Sequence, residues 1–499
     1  MADFPSFTLP RGRHFIGGRF ATSLSNETLD IVDPSTEEII GKVERGSAAD
    51  VELAVKAAKA AFDGGEWSLA KPSFRKSVLY KVADLIEKRS DEITYLQARE
   101  MGEPVLDSAG KVAFYVARSA HNFRFFADEQ AQAGDHAFNH EDRLMTYTMT
   151  DPVGVYALIT PWNGPFMLST WKMAPCLAYG NSAVHKPSEL APLSLNVLCE
   201  IFQEAGMPDG VYNLINGAGA EVGPSLVSHP DVVGVSFTGS VATAKDISGR
   251  ISQSLKRTSF ELGGKSATIV FDDADMELAV REAAAAIFAT TGQSCVAGSR
   301  ILVQEPVYEE FLKRFEAEAQ NWKAGNPLDA DTVLGPLVSR GHYEKVTRYI
   351  ELAKTEGRIL FGGGRPRGMD KGFYVEPTAV VDVTNSARIC REEIFGPVAV
   401  IMPFRDDAHA LEVANDSVYG LAGYIFTSSM DRAHNAAQRL KTGMIWMNSG
   451  FARDLRQPFG GVKESGQGRE GGNYSREFYT ETRFASFPLR PRRNDVNAR

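Results

Sequence analysis

The sequence predicts an α/β fold built around two parallel sheets. From residue 152 onward, short apolar runs alternate with amphipathic segments, so strand and helix patterns follow one another. A second series of the same kind begins near residue 266. Strands that alternate with helices form parallel sheets with right-handed crossovers, and such sheets bind ligands at the carboxyl ends of their strands.

The first 130 residues combine short strands with long helices. Strand signals end in turn residues such as Gly17-Gly18, and apolar residues recur at helical spacing between them. Ser47 stands where it can cap the first helix. One span, 73–102, predicts either one long helix or two. The predicted elements are strands at 14–16 and 37–43 and helices at 48–62, 73–102 and 108–127.

The two α/β series supply most of the remaining elements. The first has predicted strands at 153–160, 182–186, 212–215 and 232–237, with helices at 168–178, 193–204 and 223–228. The second has predicted strands at 266–271, 299–303, 379–381 and 398–403, with helices at 306–320, 342–355, 407–415 and 430–438.

Two further segments alternate apolar and polar residues without an obvious local partner. They are 131–150 and, near the end of the chain, 474–487. Alternation with a period of two is typical of strands. We expect the two segments to pair with each other, either within one chain or across subunits.

Composition and charge exclude several classes of protein. The chain has 499 residues, 43% hydrophobic and 23% charged, as expected for a soluble globular protein of two or three domains. A net charge of -9 without a long basic run argues against a nucleic-acid partner. We find neither an apolar run of about 18 residues nor a signal peptide, so no membrane segment is expected. The four cysteines lack CxxC spacing, which predicts neither a metal site nor disulfides and indicates a cytoplasmic location.

One cysteine stands in a setting that suits a nucleophile. Cys295 follows an alanine-rich helical run and a helix break at Gly292, and most of its neighbours within 291–298 are small. A substrate carbon can therefore approach the thiol closely, and a cysteine thiolate is a strong nucleophile. The alternative is a buried cysteine that serves as a small hydrophobic residue.

Seven motifs together identify a family that the sequence resembles. In this order and spacing they are typical of the NAD(P)-dependent aldehyde dehydrogenase superfamily, and the resemblance covers about residues 14–487. It implies an aldehyde dehydrogenase-like α/β fold with two Rossmann-like parallel domains and a small β oligomerisation element. The motifs are Pro161-Trp162-Asn163, Lys186-Pro187-Ser188-Glu189, Phe237-Thr238-Gly239-Ser240, Glu261-Leu262-Gly263-Gly264-Lys265, Gly292-Gln293-Ser294-Cys295, Glu393-Ile394-Phe395-Gly396-Pro397 and Pro458-Phe459-Gly460-Gly461.

The resemblance also implies a domain organisation. An NAD-binding domain comprises 1–130 and 152–262, a catalytic domain comprises 263–464, and oligomerisation strands lie at 131–151 and 474–489. Members of the family form dimers or tetramers, so we expect a homodimer or homotetramer that acts on a small-molecule aldehyde.

The chemistry of aldehyde oxidation assigns roles to four residues. Cys295 would add to the aldehyde, and the resulting oxyanion needs donors, of which one typically contributes about 3 kcal/mol. Asn163 offers a side-chain NH₂ beside the Cys295 backbone N–H, although a plain turn residue is the alternative. Glu261 matches the family's general base for thioester hydrolysis, with a surface charge as the alternative. Lys172 is predicted to support proton movement, unless it is simply an exposed lysine.

The predicted cofactor is NAD, with NADP as a second possibility. The chain lacks a GxGxxG turn, but 237–240 ends a strand and opens a helix, where a pyrophosphate can bind. Glu189 would accept hydrogen bonds from the adenosine ribose, which favours NAD. Phe395 would pack near the nicotinamide, with core packing as the alternative. The predicted cofactor residues are Thr160, Pro161, Trp162, Lys186, Ser188, Glu189, Gly219, Gly223, Phe237, Thr238, Gly239, Ser240, Leu262, Gly263, Glu393 and Phe395.

The substrate is predicted to carry a carboxylate. Segments 453–456 and 468–472 resemble the branch that oxidises 2-hydroxymuconate and 5-carboxymethyl-2-hydroxymuconate semialdehydes, whereas 449–452 and Gln457 depart from it. Arginine binds carboxylates through two parallel hydrogen bonds. We expect Arg118 to act with Arg453 or Arg456, the alternative being a plain ion pair with Asp454. The predicted substrate residues are Arg118, Trp171, Arg453, Arg456 and Phe459.

Three other functions remain open at this stage. A broad-specificity or betaine-type aldehyde dehydrogenase would share the same chemistry. A CoA-acylating enzyme would share the fold and the cysteine, but such enzymes generally lack the glutamate base. A non-catalytic protein on this scaffold would be expected to have lost Cys295, Asn163 or Glu261, and all three are present.

Overall fold

The computed structural model describes residues 4–105, 114–140 and 143–489. The strands are β1 (His14–Ile16), β2 (Arg19–Ala21), β3 (Thr28–Val32), β4 (Ile39–Glu44), β5 (Ala137–His140), β6 (Leu144–Pro152), β7 (Val155–Ile159), β8 (Ser182–Lys186), β9 (Tyr212–Leu214), β10 (Val232–Thr238), β11 (Arg257–Glu261), β12 (Ala267–Val270), β13 (Arg300–Gln304), β14 (Arg358–Phe361), β15 (Thr378–Val381), β16 (Val398–Phe404), β17 (Ala422–Phe426), β18 (Met444–Met447), β19 (Gly466–Gln467) and β20 (Thr480–Pro488).

Helices alternate with these strands along much of the described part of the chain. They are α1 (Ala48–Gly64), α2 (Pro72–Lys88), α3 (Ser90–Met101), α4 (Phe114–Gln132), α5 (Pro165–Ala178), α6 (Leu193–Ala205), α7 (Gly219–Ser228), α8 (Val241–Ile251), α9 (Met276–Phe288), α10 (Tyr308–Ala319), α11 (Arg340–Glu356), α12 (Arg388–Arg391), α13 (Asp407–Asn415), α14 (Met430–Arg439) and α15 (Gly472–Tyr479). None of these described helices is long and apolar enough to cross a membrane.

The first large sheet aligns several strand ends along one edge. Its order is β19-β11-β10-β7-β8-β9-β1-β2, and the strands from β11 to β9 run parallel. The register places Glu261 opposite Thr238, and Ile159 opposite Lys186. Because parallel strands end at the same edge, the residues at and just after these positions lie side by side.

The second large sheet is buried on both faces. Its order is β14-β15-β16-β13-β12-β17-β18, and only β14 runs antiparallel to its neighbour. Consecutive residues of β12, Ile269 and Val270, belong to two different apolar clusters on opposite faces. Parallel sheets covered on both sides in this way confirm the predicted α/β class.

Local sequence explains where the N-terminal helices begin and end. Ser47 and Asp50 form a capping box at the start of α1, and Gly65 ends the helix at φ 79°. The span 73–102 forms two helices, because the chain leaves helical geometry at Arg89. The predicted start of the next helix, 108–113, lies outside the described residues, and its described part extends to Gln132.

The strand predicted over 474–487 is only partly right. Residues up to Tyr479 belong to α15, and β20 begins at Thr480. In α15, Ser475 and Tyr479 are buried one helical turn apart. A four-residue spacing of buried side chains is helical, and the short aromatic run concealed this spacing from the alternation argument.

A third, small sheet stands apart from the two large ones. It has the order β20-β6-β5, and β20 pairs antiparallel with β6 from Thr480 to Pro488. The predicted pairing of these segments is therefore confirmed within one chain. The sheet leaves large apolar side chains in solvent, and Phe484 is 73% exposed. Exposed apolar edge strands favour pairing with another chain, so we propose this sheet as an oligomerisation element.

Lysine at Phe484 and Phe487 should weaken this self-association. Burial of one phenylalanine contributes about 2 kcal/mol, so each lost ring should raise the dissociation constant about 30-fold. Sedimentation velocity at micromolar concentration should show a dimer or tetramer for the wild type and smaller species for the double variant. The proposal would be ruled out by a monomeric wild type, or by a double variant that keeps the oligomeric state of the wild type.

Candidate active site

Three of the four predicted catalytic residues, Asn163, Glu261 and Cys295, meet with predicted cofactor residues around one cavity of about 260 Å³. Strand ends of the first sheet supply one wall, and loops of the second α/β unit supply the other. The lining residues are Pro161, Trp162, Asn163, Leu168, Thr238, Gly239, Ser240, Glu261, Leu262, Gly263, Cys295, His342, Lys345, Glu393 and Phe395.

The cysteine is presented by a loop in an unusual backbone conformation. After α9, Thr290 and Thr291 have φ values of 50° and 57°, and Gly292 has φ 68°. A Cβ at Gly292 would collide with the backbone of Gly396, so this position requires glycine. The next residue is held from two sides, because Gln293 O accepts from Asn163 Nδ2 at 2.8 Å and Gln293 Oε1 accepts from Val338 N at 2.9 Å.

Cys295 lies next to acidic groups and is only partly exposed. Burial raises the pKa of its thiol to about 12, and the charges of Glu261 and Glu393 act in the same direction. The thiol is therefore protonated near neutral pH, and nucleophilic attack requires a nearby proton acceptor.

Glu261 is a buried carboxyl group at the end of β11. It is 4% exposed, and neither carboxyl oxygen has a hydrogen-bond partner in the described part of the chain. Burial raises its pKa well above the usual range, and the charge of Glu470 adds to this effect. A Cβ at Gly460 would lie 2.6 Å from Oε1, so glycine there leaves room for the carboxyl group. The surface alternative for Glu261 is wrong.

Lys172 is buried rather than exposed. It is 1% exposed and donates to Glu470 Oε1 at 2.6 Å and to Ser236 Oγ at 3.0 Å. Because Lys172 and Glu470 both act on Glu261 electrostatically, the three form one network of ionisable groups. Glu470 belongs to the segment 468–472, for which the sequence predicted no catalytic role. No local pattern could show that β19 returns this segment to β11.

Asn163 points its amide toward the nucleophile loop. One N–H of Nδ2 is used by Gln293 O, which leaves the second N–H of the same group for another acceptor. Because Asn163 and Cys295 line the same cavity, this N–H could donate to an oxyanion that forms near the sulfur.

The donors and acceptors along one side of the cavity fit a dinucleotide. Ser240 caps α8 by accepting from Thr243 N at 3.1 Å, and a helix N-terminus at a strand end suits a pyrophosphate. Glu393 accepts from Gly264 N at 2.9 Å through Oε1, which leaves Oε2 for ligand hydroxyl groups. A Cβ at Gly263 would collide with this carboxylate, so glycine permits the close approach.

A second group of predicted cofactor residues lies along the same sheet edge. Lys186 is 4% exposed, and its Nζ donates to Glu189 Oε2 at 3.0 Å. A Cβ at Gly219 would lie 3.7 Å from that nitrogen. Thr160 N donates to Lys186 O, which joins this group to the turn before Asn163. Of the others, Ser188 follows β8, Gly223 lies within α7, and Phe237 turns its ring into the core against Phe260.

Aromatic rings line one end of the cavity, where the nicotinamide is predicted to bind. Trp162 contacts Phe395 with ring centroids 5.5 Å apart, and His342 with centroids 5.2 Å apart. Phe395 lines the cavity and is not a core residue. The sequence analysis missed His342 and Lys345, because both lie within the regular helical pattern of α11.

The predicted substrate residues separate into two groups. Arg453 lies against both Trp171 and Phe459, with its guanidinium carbon 3.3 Å and 4.1 Å from the two ring centroids. The guanidinium carbon of Arg118 lies 5.7 Å from the centroid of the Trp171 ring, and Arg118 Nη1 donates to Arg453 O at 3.3 Å. Arg456 instead points outward and pairs with Asp454 at 2.6 Å, so the plain ion pair applies to this arginine.

Several donors in this arginine pair are buried without a partner. Among the described residues, Arg118 Nη2, Arg453 Nε, Arg453 Nη2 and Trp171 Nε1 form no hydrogen bond. Burial holds the pKa of Arg453 well below its usual value, the charge of Arg118 lowers it further, and Glu470, Glu261 and Cys295 oppose this. Arg453 is therefore near enough to Cys295 and Glu261 to feel their charges, and Arg118 is joined to it through the Arg453 carbonyl.

Comparison with known proteins gives a consistent assignment. The model of the aldehyde dehydrogenase family matches residues 20–485. The chain is 42% identical to 5-carboxymethyl-2-hydroxymuconate semialdehyde dehydrogenase of Escherichia coli, over 93% of this chain and 98% of that protein. It is 40% identical to 2-hydroxymuconic semialdehyde dehydrogenase of Pseudomonas sp. (strain CF600), over 94% and 98%.

A solved structure extends the comparison to the fold. Indole-3-acetaldehyde dehydrogenase in complex with NAD⁺ superimposes with a TM-score of 0.94 at 37% identity, over 97% of each chain. The family match, the α/β fold and the donor set of the cavity agree with one another, which confirms the predicted resemblance and the NAD(P) cofactor. The chain belongs to the aldehyde dehydrogenase family and is an NAD(P)-dependent aldehyde oxidoreductase.

Proposed function

We propose that the chain oxidises an aldehyde that carries a distal carboxylate, and that Cys295, Asn163 and Glu261 perform the chemistry. The observation that carries this proposal is the pair of half-buried arginines, Arg118 and Arg453, whose buried N–H groups have no hydrogen-bond partner in the described part of the chain. The names of both semialdehyde dehydrogenases compared above specify substrates of this kind, which supports the proposal.

The first half of the reaction uses the nucleophile loop. Cys295 Sγ adds to the aldehyde carbon, and the thiol proton passes to water that reaches the partly exposed sulfur, so Glu261 stays free to act as a base in the second half. The free N–H of Asn163 Nδ2 stabilises the oxyanion that forms on the aldehyde oxygen. Bound NAD(P)⁺ supplies the hydride acceptor in this step. The oxidised product is a thioester on Cys295.

The second half hydrolyses that thioester. Glu261 removes a proton from water as the water attacks the thioester carbonyl, and the acid and the free thiol are released. The proton that Glu261 gains has an exit route through the Lys172 and Glu470 network, because those groups act on it electrostatically and are buried beside it. Presence of this base argues against a CoA-acylating reaction.

The charge of the substrate end favours an anion. Both guanidinium groups lie over the Trp171 ring, and in the described part of the chain neither forms an ion pair within 4 Å, although the charge of Asp454 acts on Arg118. Buried N–H donors without partners are costly, so a carboxylate that bridges both arginines would be stabilised. A betaine-type substrate needs free aromatic faces for its cationic group, but Arg453 already covers Trp171 and Phe459.

Arg453→Met should reduce activity selectively with acidic aldehydes. A charged hydrogen bond contributes about 1.5–3 kcal/mol, so kcat/KM for a carboxylate-bearing aldehyde should fall about 10- to 100-fold. A neutral aldehyde of equal length should lose less than about threefold. The rate of NADH formation measures both.

Arg456→Met is the matched control for this experiment. Its side chain is exposed and paired with Asp454, so activity with either aldehyde should remain close to that of the wild type. Equal losses with acidic and neutral aldehydes in the Arg453 variant would contradict carboxylate recognition and would favour a broad-specificity enzyme.

Substitutions in the ionisable network should move the pH profile in opposite directions. A base acts only when deprotonated, so the raised pKa of Glu261 places the acidic limb of kcat above the ordinary glutamate range. Glu470 raises that pKa and Lys172 lowers it. Glu470→Gln should therefore move the limb to lower pH, and Lys172→Met should move it to higher pH. Profiles of kcat that shift the same way in both variants would refute this arrangement.

A further inference from the structure

The start of α11 contacts both halves of the active site. Ser339 caps the helix by accepting from His342 N, and Val338 N donates to Gln293 Oε1 in the nucleophile loop at 2.9 Å. On the other side, His342 Nε2 lies 2.7 Å from the carbonyl oxygen of Phe395. A carbonyl can only accept, so this ring nitrogen carries the proton. Burial lowers the pKa of His342 to about 4, and the ring is therefore neutral near pH 7.

The carbonyl that His342 binds belongs to a strained residue. Phe395 has φ 64°, a left-handed conformation that is rare and unfavourable for a bulky residue. Such a conformation persists only where neighbouring groups hold it in place. The neighbours here are the ring of Trp162 at 5.5 Å, the ring of His342 at 6.0 Å and the hydrogen bond from His342.

The same turn determines the position of two functional groups. Glu393 lies two residues before Phe395 and accepts from Gly264 N. Gly396 follows it, and its backbone packs so closely on Gly292 that no side chain fits there. A shift of the turn would therefore displace both the Glu393 carboxylate, a predicted cofactor ligand, and the loop that carries Cys295.

We propose that His342 is a positioning residue for the cofactor. It donates Nε2–H to the Phe395 carbonyl and packs against Trp162, and so fixes the turn 393–396 in its binding conformation before NAD(P) arrives. Preorganisation of this kind lowers the ordering that binding would otherwise require. Its effect is expected in cofactor affinity more than in affinity for the aldehyde.

Three substitutions separate the hydrogen bond from simple packing. Glutamine can place its side-chain N–H where Nε2 now lies, whereas leucine fills the space without a donor. Asparagine has a donor but is too short to reach the carbonyl, and it serves if the leucine variant does not fold. His434→Leu is the matched control, because His434 is exposed on α14.

Calorimetric titration of the purified enzyme with NAD is the direct readout, and the thermal shift that NAD induces is the second. We expect the dissociation constant to rise about tenfold or more in His342→Leu and His342→Asn, and to stay within about threefold in His342→Gln and His434→Leu. The KM for NAD should follow, while the KM for a given aldehyde should change less than about twofold.

The proposal is overturned if the leucine variant binds NAD within twofold of the wild type, or if glutamine is as weak as leucine. Loss of thermal stability without NAD in the leucine and glutamine variants alike would also overturn it, since that would indicate a packing role. Cofactor binding is measured without any aldehyde, so failure of the substrate proposal would leave this test unaffected.

Discussion

The hydrogen bond from Asn163 Nδ2 to Gln293 O joins the two large α/β units beside the cavity that contains Cys295. Asn163 follows a strand end of the first sheet, and Gln293 belongs to the loop that carries Cys295. At 2.8 Å this bond holds the proposed oxyanion donor close to the loop of the proposed nucleophile. Gly292 is required for the same reason, because a larger residue would push the loop away from the turn at Gly396. Small errors in such positions cost large factors in rate.

The cavity region also departs from ordinary protein interiors in its polar groups. Buried donors and acceptors are almost always paired, yet Glu261, Arg118, Arg453 and Trp171 all have buried polar atoms without partners in the described part of the chain. The unpaired acceptors are the two oxygens of Glu261, and the unpaired donors belong to Arg118, Arg453 and Trp171. This separation suits a substrate whose reacting carbon lies near Glu261 and whose anionic end lies at the arginines. We regard it as the physical basis of the proposed specificity.

Much of the fold follows from local patterns in the sequence. The alternation of strands and helices predicted both parallel sheets, and the capping box of Ser47 predicted the start of α1. The prediction of a strand at 474–479 was wrong, because a short aromatic run has no clear period and tertiary packing made this segment helical. The strands β11, β17 and β18 were missed, since short runs of this length resemble other apolar segments.

The site divides in the same way. Cys295, Glu261 and Asn163 occur in motifs, so the sequence identified them. Glu470 and His342 act through contacts across long sequence distances, and Arg453 differs from Arg456 only in the direction of its side chain. Those contacts depend on register and on the path of loops, which a single sequence does not encode in any local pattern.

The central claim is that oxidation proceeds through a thioester on Cys295 that Glu261 helps to hydrolyse. The most direct test is mass spectrometry of the Glu261→Gln variant, quenched in acid after mixing with NAD and a carboxylate-bearing aldehyde. We predict an added acyl group on the peptide that contains Cys295, and none on peptides with the buried Cys176, Cys199 or Cys390. Formation of NADH without any acyl group on Cys295, or an acyl group on another residue, would contradict the mechanism.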